Sequence, residues 1–275
     1  YEMSASLVGS EMCIRDSIGT GKTDGIFQLE SAGMKSFMKE LKPNSLEDMI
    51  AGISLYRPGP MDFIPQYIKG KNDASSISYD CPQLEPILNS TYGCIVYQEQ
   101  VMQITSVLAG FSLGQADILR RAMGKKKAKE LDSMREAFID GAQQKHGISP
   151  QLSSEIFALL QHFAGYGFNK SHSAAYALVA YQTAYLKAHW PAEFMAAFLT
   201  SVISDSEKLS WYISVCRSMG LKILPPDVNE SGRSFSVNKD RVIRFGLAGV
   251  KNVGENAIGS ILPVSYTHLT LPTIR

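Results

Sequence analysis

From Leu46 to Gly220 apolar residues return every three or four positions in segment after segment, and that period leaves the chain little choice but a stack of helices. Ser45 is placed to cap a helix through Leu46, Met49, Ile50 and Ile53, and Arg57-Pro58-Gly59-Pro60 stops it. Further helical patterns cover Tyr97 to Leu108, Leu113 to Met123 with a stop at Gly124, and Ala128 to Lys145 with a stop at Gly147. Ser149-Pro150 opens another to Phe163, and Asn169 or Ser171 caps a long one to about His189. Pro191 begins a helix to about Ile203, and Asp205 one to Gly220. Roughly eight helices follow one another without a βαβ unit. Gly25 to Phe37 is an apolar stretch running into a helical pattern, and Gly70 to Pro82 reads as a polar loop. After Leu224-Pro225-Pro226, the runs Ser234 to Val237 and Val242 to Phe245 read as a β-hairpin turning at Asn238-Lys239-Asp240. The expected fold is mainly α, a multi-helix domain over 18–225 followed by a small β-hairpin and α segment over 226–262, with Pro225 to Asn229 as the boundary.

The two ends do not follow this grammar. One short DNA stretch, read on one strand, encodes Met12-Cys13-Ile14-Arg15-Asp16, and read on the other it encodes Val264-Ser265-Tyr266-Thr267-His268. That stretch is similar to a transposase end used in sequencing libraries, so residues 1–17 and 263–275 read as translated adapter and stand outside the fold reasoning. The same exclusion removes a false phosphate loop. Gly19-Thr20-Gly21-Lys22-Thr23 looks like the end of one, but Asp16 stands where its first glycine is required.

Charge narrows the function classes. A net charge of +1 provides no global field toward nucleic acid or a membrane, so any polyanion must be held locally. No apolar run approaches the roughly 18 residues of a membrane span. Four cysteines without metal or disulfide spacing fit a reducing cytoplasm.

Two local clusters could hold anions. Arg120-Arg121-Ala122-Met123-Gly124-Lys125-Lys126-Lys127 has five cations and no carboxylate inside it, and nothing nearby in the sequence neutralises it until Glu130. The helix break at Gly124 lets both sides of the cluster converge, and paired guanidinium forks match phosphate oxygens. The alternative is a solvated helix terminus whose cations favour the dipole. In Phe163 to Tyr176, Gly165 and Gly167 permit close backbone approach and Tyr166 and Phe168 offer stacking faces. Asn169, Lys170, Ser171 and His172 present donors at a helix N-terminus, where anions are favoured, and His172 shares a helix face with Tyr176. A plain capped, glycine-kinked connection explains the same residues. A third stretch, Val250 to Ile258, fits the hairpin of a helix-hairpin-helix, where backbone N–H groups near Gly254 hold a DNA phosphate and Lys251 adds charge. An ordinary turn into a helix fits it too. No pair of aspartates lies on a strand-like run and no nucleophile triad is evident, so the residues are suited to binding more than to reaction.

The blocks Gly25 to Ser31, Arg57 to Pro60, Tyr97 to Gln100, Leu119 to Lys126, Phe163 to Tyr176 and Leu224 to Asp227, in this order, resemble the C-family replicative DNA polymerases, the bacterial DNA polymerase III alpha subunits. The likeness runs from Ile18 to about Leu262 and covers the family's fingers region and the start of its duplex-binding and helix-hairpin-helix part. It implies template-directed addition of deoxynucleotides by two-metal phosphoryl transfer. The Mg²⁺ ions would be bound by palm aspartates outside this chain, so no catalytic residue is expected here and the chain alone should be inactive. By resemblance, Arg120 and Arg121 grip the triphosphate with Lys125 and Lys126 assisting, and Tyr166, Asn169, Lys170, Ser171 and His172 border the nascent base pair and phosphates. Arg57, Lys127, Lys251 and Gly254 are the expected DNA contacts. Implied partners are primer–template DNA, a dNTP, and a sliding clamp and other replicase subunits through regions absent here. Rival readings are a non-enzymatic helical nucleic-acid-binding module and a translesion or Gram-positive-type paralogue.

Overall fold

The computed structural model describes residues 14, 17–57, 59–124, 128–164 and 167–268. The chain packs as two compact units, one holding Ile18–Lys22 and Ser31–Ala180, the other holding Thr23–Glu30 and the chain from Tyr181 onward. The division falls inside one long helix.

In the first unit, helix α1 (Ala32–Leu41) starts where the Ser31 hydroxyl accepts from the Met34 N–H, and α2 (Leu46–Leu55) where Ser45 accepts from Asp48. After Arg57 the chain enters α3 (Ile64–Asn72), which has Pro65 in its first turn. The sequence pattern conceals α3 because only Tyr67 and Gly70 of it are buried. A short α4 (Glu85–Leu88) follows, then α5 (Gln98–Ala109), α6 (Leu113–Gly124), α7 (Ala128–His146) and α8 (Pro150–Ala164), close to the spans that the apolar periods predict. These four helices share one core in which Val101, Ile104, Leu108, Leu119, Phe138, Ala142, Phe157 and Leu160 are almost wholly buried. Helix α9 (Lys170–His189) begins at Asn169, whose Oδ1 accepts from the His172 N–H at 2.9 Å, so Asn169 and not Ser171 is its cap.

Beneath α2 lies a buried polar knot. The Asp48 carboxylate accepts from Lys71 Nζ at 2.8 Å, and the two side chains are 2% and 5% exposed. Lys71 Nζ also donates to the carbonyls of Leu41 at 2.9 Å and Lys42 at 2.8 Å, which satisfies all three ammonium hydrogens and caps the end of α1. Burial, and then the nearby Asp48 charge, push the Tyr67 phenol far above its ordinary range.

In the second unit, α10 (Pro191–Ser201) and α11 (Ser206–Ser218) pack with three short strands, β1 (Ile223–Leu224), β2 (Ser236–Val237) and β3 (Ile243–Arg244), followed by α12 (Glu255–His268). The expected hairpin forms: β2 is antiparallel to β3 with Ser236 opposite Arg244 and Val237 opposite Ile243. β1, which the sequence pattern does not announce, lies parallel on the other edge of β3. The boundary expected at Pro225 to Asn229 falls inside this unit, because Phe235 and Ile243 share a core with Met195, Leu199 and Cys216. Gly25 to Glu30 folds into the same unit. The Glu30 carboxylate accepts from the Gly25 N–H at 2.8 Å and from the Tyr212 hydroxyl at 2.6 Å, and Lys187 Nζ donates to the Asp24 carbonyl at 2.6 Å. Among the described residues no helix is long and apolar enough to cross a membrane.

Candidate functional site

The start of α5 carries three polar side chains in a row, and each leaves in a different direction. Gln100 turns back on its own approach, its Oε1 accepting from the N–H groups of Val96 at 2.8 Å and Tyr97 at 3.0 Å and its Nε2 donating to Thr91 Oγ1 at 2.8 Å. Glu99 reaches the start of α9, where it accepts from the Lys170 N–H at 3.0 and 3.1 Å and from Asn169 Nδ2 at 3.0 Å. Gln98 donates through Nε2 to the Gly167 carbonyl at 2.7 Å and accepts through Oε1 from Arg120 Nη1 at 3.1 Å.

The backbone supports this convergence. The Phe168 N–H donates to Val96 O at 3.3 Å and the Gln98 N–H to Phe168 O at 3.0 Å, pairing Tyr97 with Phe168 as an isolated parallel bridge. Gly167 sits close against its neighbours here. A Cβ would lie 3.3 Å from the Phe163 carbonyl oxygen and 3.4 Å from Gln98 Cγ.

Around that junction lie seven of the residues that the sequence selects. Arg120 and Arg121 both close on Asp117. Arg120 gives Nη2 and Nε to Asp117 Oδ1 at 2.8 and 3.1 Å, and Arg121 gives Nε to Oδ2 at 2.8 Å. The hydrogen bond from Arg120 holds the Asp117 carboxyl below the usual carboxylate range. The expectation that no nearby carboxylate offsets the cations is therefore corrected. The partner stands three and four residues upstream, one turn back on the same helix face.

Arg57 lies with Cζ 4.0 Å from the centre of the Phe168 ring. His172 meets that ring edge-on at 5.3 Å and leans on Tyr176 at 4.2 Å, which gives a continuous file of a cation and three rings. Lys170 Nζ pairs with Glu47 at 3.1 Å and stands 5.3 Å from the ring centre of buried Tyr97, whose phenol is pushed upward by burial. Ser171 is exposed beside it. The helix N-terminus and Asn169 already face the Glu99 carboxylate rather than an external anion. Lys125, Lys126, Lys127 and Tyr166 lie outside the described residues.

Gln98, Glu99 and Asp117 are the residues that sequence reasoning assigned no role. The pattern Tyr97 to Gln100 is visible in the sequence, but two of its partners are 69 and 71 positions away.

In the second unit, Lys251 and Gly254 belong to an exposed turn before α12. Asn252 takes the left-handed conformation with φ 68°, and the Val253 N–H closes on Val250 O at 3.2 Å. Nothing lies within 4 Å of where a Gly254 Cβ would stand, so the backbone there can be approached closely.

Among the described residues no group of three or more His, Cys, Asp or Glu side chains could hold a metal ion.

Residues 11–146 match a family model described as the bacterial DNA polymerase III alpha subunit finger domain, and residues 220–265 match a helix-hairpin-helix motif. The DNA polymerase III subunit alpha of Borreliella burgdorferi is 52% identical over 245 residues, 89% of this chain and 21% of the relative. That of Thermus aquaticus is 52% identical over 250 residues, 89% of this chain and 20% of the relative. That of Escherichia coli K12 is 51% identical over 254 residues, 90% of this chain and 22% of the relative. The chain thus spans about a fifth of the length of the curated relatives it matches.

Proposed function

Because this chain belongs to the bacterial DNA polymerase III alpha subunit family, we propose that it forms the finger region of a DNA-directed DNA polymerase and holds the incoming deoxynucleoside triphosphate over primer–template DNA. The observation that carries this reading is the unbroken chain Arg121–Asp117–Arg120–Gln98–Gly167, which joins the cationic helix end to the glycine-aromatic bend in one unit. A triphosphate bears about four negative charges and needs forked donors beside a surface on which a base can lie. Arg121, with Arg120 behind it on the same Asp117 carboxylate, supplies the first, and Lys125 and Lys126 lie beside them in sequence. Phe168, His172 and Tyr176, backed by Arg57, supply the second, and Asn169, Lys170 and Ser171 border it, with Tyr166 near them in sequence.

The work of this chain is to bind and orient. As charge moves onto the departing pyrophosphate, fixed guanidinium groups stabilise it without having to reorganise. Catalytic Mg²⁺ and its aspartates belong to the rest of the longer protein, and so do contacts to a sliding clamp and other replicase subunits. The chain by itself is inactive in this reading.

In the full-length polymerase, Arg121→Ala is expected to raise the KM for dNTP by roughly 10- to 100-fold, the loss of a charged hydrogen-bonding partner. The primer–template Kd should stay within about twofold. Equal losses in both would refute the triphosphate assignment.

The turn at Lys251 and Gly254 is assigned to duplex phosphate, as the match to a helix-hairpin-helix motif suggests. Lys251→Ala should weaken duplex binding on every sequence and reduce the slope of log K against log salt by about 1, because one fewer counterion is released. An unchanged slope removes this site.

A further inference from the structure

We propose that Gln98 is a positioning residue that divides the work between the two arginines, fixing Arg120 as an internal brace and leaving Arg121 as the arginine that takes phosphate; this rests on the triphosphate reading above. The donors of each guanidinium carry the argument. Arg120 spends Nε and Nη2 on Asp117 Oδ1 and Nη1 on Gln98 Oε1, and its side chain is 22% exposed. Arg121 reaches Asp117 Oδ2 through Nε at 2.8 Å, and its side chain is 67% exposed. A guanidinium this exposed is the one that an anion arriving from solvent can reach, and its planar fork has the shape that pairs with phosphate oxygens.

Gln98 is chemically suited to the brace. Its amide accepts from a guanidinium and donates to a main-chain carbonyl at the same time, which neither a carboxylate nor an ammonium can do. Its own N–H holds Phe168 O at 3.0 Å, so one residue ties α6, the Gly167 carbonyl and the ring beneath Arg57 together. Without that amide, Arg120 keeps Asp117 but loses its registration against the bend. The Asp117 carboxylate that aims Arg121 then loses its fixed reference as well.

The test is a double-mutant cycle in the full-length polymerase at saturating primer–template. Gln98→Met keeps the length and removes both side-chain bonds. It is expected to raise the KM for dNTP roughly tenfold, with kcat and primer–template Kd within about twofold. Gln98→Met combined with Arg120→Ala should be no worse than Arg120→Ala alone, because Gln98 acts through that side chain. Gln98→Glu, which retains the acceptor but turns a carboxylate toward the Gly167 carbonyl, should show the same rise in KM and serves if the methionine variant does not fold. Multiplying effects of Gln98→Met and Arg120→Ala would overturn the brace, as would a fall in kcat and duplex binding alongside KM. If Arg121→Ala raises KM and the Gln98 variants do not, the brace fails and the triphosphate reading stands. If neither raises it, both fail.

Discussion

Lys71→Ala is expected to lower the unfolding free energy by about 3–5 kcal/mol, the usual cost of leaving one half of a buried ion pair behind. The ammonium is enclosed by Asp48 and the carbonyls of Leu41 and Lys42. Alanine would strand all three acceptors at once. The Tyr67 and Tyr92 hydroxyls, both 3.4 Å from Asp48 Oδ1, and the Asn44 N–H are too few to solvate the remaining charge. Urea unfolding followed by circular dichroism measures the loss. A change below about 1 kcal/mol would mean that the site admits water freely. Replacing both partners with apolar residues of similar volume, Lys71→Met with Asp48→Leu, should recover most of the loss, since the pair's attraction largely offsets its desolvation.

Gly141→Ala is the second large effect. A Cβ at this position would stand 2.3 Å from the Ala109 carbonyl oxygen and 3.0 Å from two more of its backbone atoms. No rotamer change relieves a clash with main chain, so α7 and α5 must separate and their shared core around Leu108, Phe138 and Ala142 must loosen. Overpacking of this kind costs about 1–3 kcal/mol, at the upper end where backbone is the obstacle. The better helix propensity of alanine returns only about 1 kcal/mol. The net expectation is a destabilisation of about 2 kcal/mol by urea unfolding. Gly259, on α12, is the control: nothing lies within 4 Å of where its Cβ would stand, and Gly259→Ala should stabilise by up to about 1 kcal/mol. Equal responses at the two glycines would show that the α5–α7 approach is not close in solution.

The helices were legible because their signals are local. Ser31, Ser45 and Asn169 cap within three residues, and each apolar period declares a face that must be covered. Helix α3 was hidden because its proline and glycine mimic a loop, and β1 because two residues carry no period. The cationic and the glycine-aromatic stretches stand out in the sequence as two separate clusters, and it is the fold that joins them through Gln98. The polar residues that organise that convergence have no local signature. Gln98 and Glu99 resemble any solvated first turn until residues about seventy positions away arrive. Asp117 could have been found from its spacing alone, by looking back along the helix from Arg120 and Arg121 as well as forward.

Two guanidinium groups sharing the one carboxylate of Asp117 leave that trio with a surplus of a single positive charge. A monovalent anion gains little by displacing an acceptor already held on both oxygens. A visitor with several charges along one string of oxygens can engage the exposed fork first and recruit the rest afterwards. On charge alone, such an arrangement favours an anion that carries several charges over one that carries a single charge.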